Sequence, residues 1–429
     1  NCSVANYGNI PDQDNRMRRV DSRPRAKLRK GPTRMQVFVG LAVTLPVVGL
    51  VALVVTAAIL LSGSEVEVGH REPAWSPTAS LISYSSNESD GFFDIYVMNS
   101  DSTGVRNLTN REDRDVSPAW SPDGSKIAFI SRVQGKSDIH IVNHDGTGLR
   151  TLTGFKAQQY SAPVWSPDGT KIAFTSNRDV RRVARPPTAN PDMPEFPQLP
   201  PPPELYVMNA DGSGQTRLTF NNFFDGNVTW APDGLRLAFQ SNQDGDHEIF
   251  IINVDGTNLT QLTSNEHVDA LPSWSPDGEW IAFTSNRPKT EFGGNLAAAA
   301  TLEFASGSAP TDYDIYLAKP DGTKQFNWSQ MGDTNDTNPV WSPDSQWIAF
   351  EGRYALSFNM NEGINEIYMM LRDGLNRRLT RLTHNRTQRE NLNEGPVVWS
   401  QSGDAVAFIT RREGAPRVQV VNLLQKQGG

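Results

Sequence analysis

Pro118-Ala-Trp120-Ser-Pro-Asp-Gly124-Ser-Lys126-Ile-Ala-Phe-Ile130 is the stretch that decides the fold of this chain. Trp120 ends a short apolar segment. Ser121 to Gly124 is turn chemistry: proline presets φ at the second position, and Asp-Gly closes the reversal. Lys126 to Ile130 reads as a strand, and Asp138-Ile-His-Ile-Val142 as the next. Asp145-Gly146 makes another tight turn, and Leu149-Arg-Thr-Leu-Thr153 is the last strand. Four short strands joined by glycine-containing turns form one antiparallel meander.

The same phrase recurs along the chain. Trp75, Trp120, Trp165, Trp230, Trp274, Trp341 and Trp399 hold equivalent places, at spacings of 45, 45, 65, 44, 67 and 58 residues. Self-similarity at this period is the mark of a propeller or solenoid. Lys171 to Phe174, Arg236 to Phe239, Trp280 to Phe283, Trp347 to Phe350 and Ala405 to Phe408 repeat the Ile-Ala-Phe strand. Its large side chains point one way and its alanine the other, so both faces are expected to be buried between neighbouring blades. A single four-stranded sheet of this kind cannot bury both faces, whereas a closed ring buries them all. The expected fold is all-β: a seven-bladed propeller of four-stranded antiparallel blades over residues 63–429.

These motifs resemble the TolB-type β-propeller repeat of bacteria: Trp-Ser-Pro-Asp-Gly-x-x-Ile-Ala-Phe, then Ile-Tyr-Val-Met-Asn-x-Asp-Gly, then Leu-Thr. The resemblance covers roughly residues 64–424 and implies the fold more than the function. The family ranges over protein-binding modules, complex subunits and the propellers of prolyl-oligopeptidase-like enzymes. TolB itself is known for six blades, so the seven phrases here depart from it and its own role does not carry over.

The last copy holds three strands, and Glu65-Val-Glu-Val68 is an alternating segment without a partner in its own repeat. Residues 65–68 are expected to supply the outer strand of blade seven. The rival is an open edge, which natural sheets usually avoid.

Ahead of the ring, residues 37–61 carry no charge. As a helix they would span about 37 Å, enough for a bilayer core of about 30 Å. Residues 35–62 are therefore expected to form one transmembrane α-helix that contacts the lipid bilayer. Residues 1–34 carry nine Lys/Arg against three Asp, which places this basic tail in the cytoplasm and the propeller outside. The expected location is a bacterial cytoplasmic (inner) membrane, single-pass, with the propeller periplasmic. Removing the tail's +6 from the chain's −8 leaves −14 on the remainder, a poor surface for nucleic acid. The sole cysteine, Cys2, falls on the cytoplasmic side, so the propeller is expected to hold without disulfides.

Insertions interrupt the long repeats at one topological place, between strands two and three. Residues 179–204 include Pro200, Pro201, Pro202 and Pro203, a run favouring a stiff extended conformation suited to a partner surface. Residues 288–313 bring Phe292, Leu302 and Phe304, and residues 353–365 bring Phe358. These are candidate partner-binding loops, or tolerated surface insertions; loops carry function more often than scaffolds do. All three would decorate one face of the ring, opposite the Ser-Pro-Asp-Gly turns and away from the membrane.

Five residues before each tryptophan stand His70, Asp115, Tyr160, Asp225, Asp269, Asp336 and Glu394. Five of the seven are acidic, and they enter the innermost strand. One expectation is an acidic ring at the channel mouth (Asp115, Asp225, Asp269, Asp336 and Glu394) that attracts a cation or basic peptide. The other is a local capping role, since Asp commonly bonds nearby backbone N–H groups.

Catalytic motifs are missing. No Gly-x-Ser-x-Gly elbow, His-Glu-x-x-His pair or phosphate loop occurs, and a lone cysteine excludes thiolate metal sites. The expectation is a non-enzymatic chain without cofactor, acting as an interaction or accessory subunit with other membrane-complex proteins. The alternative is a sensor propeller taking a glycan, peptide or cation at the channel mouth.

Overall fold

The structure is a computed structural model and describes residues 69–89, 91–154, 160–179, 201–288, 313–329, 334–354, 364–373, 379–383, 397–410 and 416–423. It is an all-β, seven-bladed propeller. Blade one is His70–Trp75, Leu81–Ser86, Asp94–Asn99 and Arg106–Asn107; blade two is Arg114–Trp120, Lys126–Val133, Lys136–Asn143 and Arg150–Thr151. Six sheets hold four antiparallel strands in sequence order. The seventh holds Val398–Trp399, Ala405–Thr410 and Arg417–Asn422 among the described residues. First strands lie innermost, where neighbouring blades meet.

The Ile-Ala-Phe pattern explains the stacking. Ile127 and Phe129 pack with Ile95, Val97 and Leu108 of the preceding blade. Ala128, on the other face, joins a cluster with Ile172 and Phe174 of the following blade. Large residues thus fill space left by alanine, and one apolar cluster lies at every blade junction. The seventh cluster joins Ile82, Tyr84, Tyr96 and Met98 of blade one to Ala407 of blade seven, which closes the ring.

The recurring tryptophan is a stitch. The indole N–H of Trp120 donates to the Ala74 carbonyl of the preceding blade at 3.1 Å. Trp165 donates to Ala119, Trp230 to Val164, Trp341 to Ser273 and Trp399 to Val340 in the same way. Trp274 departs from this pattern: its buried Nε1 has no partner, and Arg236 stacks over its ring at 5.0 Å.

A second stitch marks the point of closure. The Asp115 N–H donates to the Phe93 carbonyl, just before the third strand of the preceding blade. Asp225 does so to Pro203, Asp269 to His247 and Asp336 to Tyr313. His70 repeats the bond to Pro416 of blade seven at 2.9 Å, so the first and last blades share the bond made at these four junctions. Residues 65–68, expected to complete blade seven, lie outside the described residues. So do the tail and residues 35–62. Among the described residues no helix is long and apolar enough to cross a membrane.

Candidate functional site

The acids expected at the channel mouth lie inside the seams between blades. Asp115, Asp225, Asp269 and Asp336 are 0 % exposed. They do not present carboxylates to an open channel, because the preceding blade packs over the start of each first strand. Tyr160 is also buried, and Glu394 lies outside the described residues.

Six of the seven seams hold a further acid, at the start of the preceding blade's third strand. These are Asp94, Asp138, Glu204, Glu248, Asp314 and Glu366, none more than 1 % exposed. Their sequence signal is faint: each stands immediately before the Ile-Tyr-like segment. The Leu-Thr ending of the repeat exists to hold them. Thr109 donates to Asp94 at 2.9 Å and accepts the Ile95 N–H at 3.1 Å. Thr153 bonds Asp138 at 2.6 Å and the Ile139 N–H at 2.9 Å. The hydroxyl ties the outer strand to the acid and to the backbone beside it.

Buried carboxyls this close cannot all ionise. Glu204 and Asp225 each accept a bond from Asn221, and burial raises both above the ordinary carboxylate range. Glu248, which shares Asn265 with Asp269, is pushed up to about 8 by burial and by the Asp269 charge. Arginines supply the remaining balance. Arg111 sits 2.9 Å from Asp115, Arg217 sits 2.8 Å from Glu204, and Arg287 and Arg381 pair with Asp269 and Glu366. The closing seam differs: an exposed Arg417 stands at the sequence position of the acid, and the Val418 N–H points to His70 Nδ1 at 3.4 Å. His70 Nε2 in turn pairs with Glu88 at 2.8 Å, which lowers the Glu88 pKa.

What the face presents to solvent is different. Arg71, Arg114 and Arg132 are exposed where the inner strands of blades one and two begin. Arg71 and Arg114 lie 5.1 and 5.2 Å from the centroid of Phe93, and Arg132 is directly across the ladder from Arg114. A cavity of about 510 Å³ opens beside Arg132, lined by Ser137, Tyr160, Pro203, Phe224 and Asn227 among others. Phe220 and Phe223, on the connection from blade three to blade four, are exposed. Nearby on blade four, Asp244, Asp246 and Glu248 bring oxygens within 4.8 Å of one another, a spacing a cation would accept.

Of the expected partner loops, Pro201, Pro202 and Pro203 are described, and Pro203 is buried against the seam. Asn177 Nδ2 donates to the Pro201 carbonyl at 3.3 Å, tying that end of the run to the sheet. Pro200, Phe292, Leu302, Phe304 and Phe358 lie outside the described residues.

Comparison with known proteins agrees with this geometry. The family described as the TolB beta propeller domain matches residues 52–191 and 203–291, more than half of the chain. The chain belongs to the TolB beta propeller domain family. A TolB homolog from Chlorobium luteolum is 38 % identical over 60 residues, 14 % of this chain and 13 % of that protein. The chain thus matches only about an eighth of that relative's length. Among solved structures, oligogalacturonate lyase in complex with manganese superposes with a TM-score of 0.60 at 15 % identity, covering 82 % of this chain and 90 % of the lyase. The Vibrio parahaemolyticus oligogalacturonate lyase gives 0.60 at 16 %, over 84 % and 92 %. The propeller domain of the Trilobed protease from Pyrococcus furiosus gives 0.54 at 11 %, over 83 % and 98 %. At such identities these likenesses speak for the fold alone. TolB propellers and enzyme propellers share it.

Proposed function

We propose that this TolB-family propeller is a non-enzymatic interaction module. It is held at the outer side of a bacterial cytoplasmic membrane by residues 37–61 and braces another subunit of a membrane complex through its insertion-bearing face. One contrast carries the reading. The carboxyls with the chemistry for catalysis are sealed in the seams, while the same face offers exposed phenylalanines, unpaired arginines and the insertion sites. Buried, hydrogen-bonded acids stabilise a scaffold; uncompensated exposed groups are where a partner gains contacts. The uncharged run at residues 37–61 and the basic residues before it support the anchor and its orientation.

The test is purification of the full chain from native membranes in mild detergent. Retention in the membrane through an alkaline wash, with a membrane protein co-purifying in fixed stoichiometry, is the expected result. Release by the wash, or a lone monomer in detergent, would overturn it. The cavity beside Arg132 favours a second reading, a propeller that senses a small ligand. Mass spectrometry of compounds released on denaturing the purified protein would reveal such a ligand at one equivalent per chain.

A further inference from the structure

Building on the interaction reading, we propose that Arg71, Phe93, Arg114, Arg132 and the adjoining cavity form a groove for an extended acidic segment of the partner protein. The starting observation is an imbalance of charge. The chain carries −8 overall, yet three guanidiniums converge on one sector of the face. Among the described residues their side chains make no ion pair and no hydrogen bond; Arg71 and Arg114 have only the Phe93 ring between them. Burial first, and then the charges of Arg132 and Arg71, lower the Arg114 pKa, with Glu72 opposing. Glu72 is the nearby carboxylate, and it is already engaged, accepting the Ser117 N–H at 2.5 Å and the Ser85 hydroxyl at 3.3 Å.

The contrast with the other arginines sharpens this. Arg111, Arg217, Arg287 and Arg381 each face a seam acid. In these seams the guanidiniums are neutralised, whereas Arg71, Arg114 and Arg132 cluster at the surface without an ion pair among the described residues. A like-charge cluster with no ion pair among the described residues favours an anionic partner. Planar guanidiniums also suit carboxylates, which they grip with two parallel hydrogen bonds.

The surroundings select the kind of anion. Arg132 is both the last member of the cationic strip and a wall of the cavity. Beyond it come the apolar walls Tyr160, Pro203 and Phe224, with exposed Phe220 and Phe223 on the connection that leads to Phe224. A free inorganic anion would use one guanidinium and none of this surface. A peptide with acidic side chains followed by a large apolar one uses all of it: carboxylates along the strip, the apolar side chain in the cavity. The places equivalent to Arg71 in blades three, four and five hold the neutral Ser161, Gly226 and Ala270, so the clustering of Arg71, Arg114 and Arg132 is not repeated there.

The test uses the full chain in detergent and a fluorescein-labelled dodecapeptide that alternates Glu with Leu and ends in Phe. Fluorescence anisotropy compares it with the same peptide carrying Gln for Glu, and with trigalacturonate as competitor. The Glu peptide is expected to bind at least tenfold tighter than the Gln peptide, and to weaken as salt is raised. Arg114→Gln and Arg132→Gln are each expected to lose about tenfold, with an unchanged melting temperature. Equal binding of Glu and Gln peptides overturns the proposal. So does full affinity in the Arg71→Gln/Arg114→Gln/Arg132→Gln variant, or displacement by trigalacturonate at lower concentration than by unlabelled peptide. Co-purification from native membranes separates the two readings. A partner that stays with the triple variant leaves the interaction reading standing and removes the acidic groove. A wild-type chain that brings down no partner removes the interaction reading, whatever the peptide shows.

Discussion

The two faces of the ring are built from the same repeat and differ in how completely it satisfies itself. On the turn face the Ser-Pro-Asp-Gly phrase closes on its own atoms. The Ser121 hydroxyl donates to Asp123 at 2.5 Å, and Asp123 also accepts the Ser125 N–H at 3.0 Å. These bonds, led by Ser121, hold the Asp123 pKa down to about 2. The turns at Asp168, Asp277 and Asp344 repeat the serine bond. Neighbouring turns also touch: the Gly169 turn lies against Pro122, and the Gly278 turn against Pro232. On the opposite face the repeat is satisfied inside the seams and broken at the surface, by insertions and by three unpaired arginines. A repeat that closes on itself builds scaffold, and the places where it stops doing so are where binding belongs.

The sharpest break in that comparison lies between two adjacent residues. Asp115 belongs to a seam, and Arg114 to the surface. Asp115→Ala removes a buried carboxylate bonded to Arg111 and is expected to cost about 1–3 kcal/mol, Arg111 keeping its pair with Asp113 at 3.2 Å. Arg114→Gln relieves repulsion and is expected to leave the urea midpoint unchanged or slightly higher. Equal losses in both would erase the distinction between seam and surface.

The tryptophans come next. Trp120→Phe removes volume and the bond to Ala74, for about 2 kcal/mol. Trp274→Phe removes an indole N–H that has no partner, so its loss is expected to be smaller by about 1 kcal/mol. Thermal melts of the two variants measure the difference. Similar shifts would mean that the indole bond contributes nothing to the stitch.

Two glycines compare the faces directly. Gly124, on the turn face, has φ +67, and a Cβ there would meet Thr78 Oγ1 of the preceding blade at 1.9 Å. Gly135, in the hairpin of blade two on the other face, has φ +77 and open space around it. Both alanine variants carry backbone strain of about 1 kcal/mol, and Gly124→Ala adds the clash. Chemical denaturation is expected to rank Gly124→Ala as the less stable.

The smallest effect is a pH dependence. Burial pushes Glu351 up to about 7, with Asn338 donating to it at 3.0 Å. Its folded pKa lies above its unfolded value of about 4.3, so the folded state holds the extra proton. The stability this lends is complete below that unfolded value and is lost as pH rises towards 7. Glu351→Gln keeps the acceptor for Asn338 and is expected to flatten the decline between pH 5 and 7, gaining roughly 1 kcal/mol at pH 8. A mutant profile parallel to wild type would refute this.

The fold was legible because its signals are local. Tryptophan spacing, turn chemistry and the Ile-Ala-Phe alternation each lie within a few residues, and the clusters at every junction follow from them. The seams were less legible for a geometric reason. Spacing places Asp225 five residues before Trp230 but does not say that Glu204 of the preceding blade covers it. The third-strand acids were missed because a lone acid before Ile-Tyr has no periodic partner until the outer-strand threonine is folded back onto it. The cationic strip joins Arg71, Arg114 and Arg132 from three strands of two blades, so no window of sequence contains it. The expected partner residues Phe292, Leu302, Phe304 and Phe358 fall where the repeat itself is interrupted.

The central claim is that the insertion-bearing face, and not the turn face, meets the partner. Site-specific photo-crosslinking in native membranes tests it most directly. A crosslinking residue replaces Phe92, exposed beside the cationic strip, or Thr170, exposed on the turn face. The account predicts a discrete crosslinked membrane protein from position 92 and none from position 170. Crosslinking from position 170 alone, or equally from both, would contradict it.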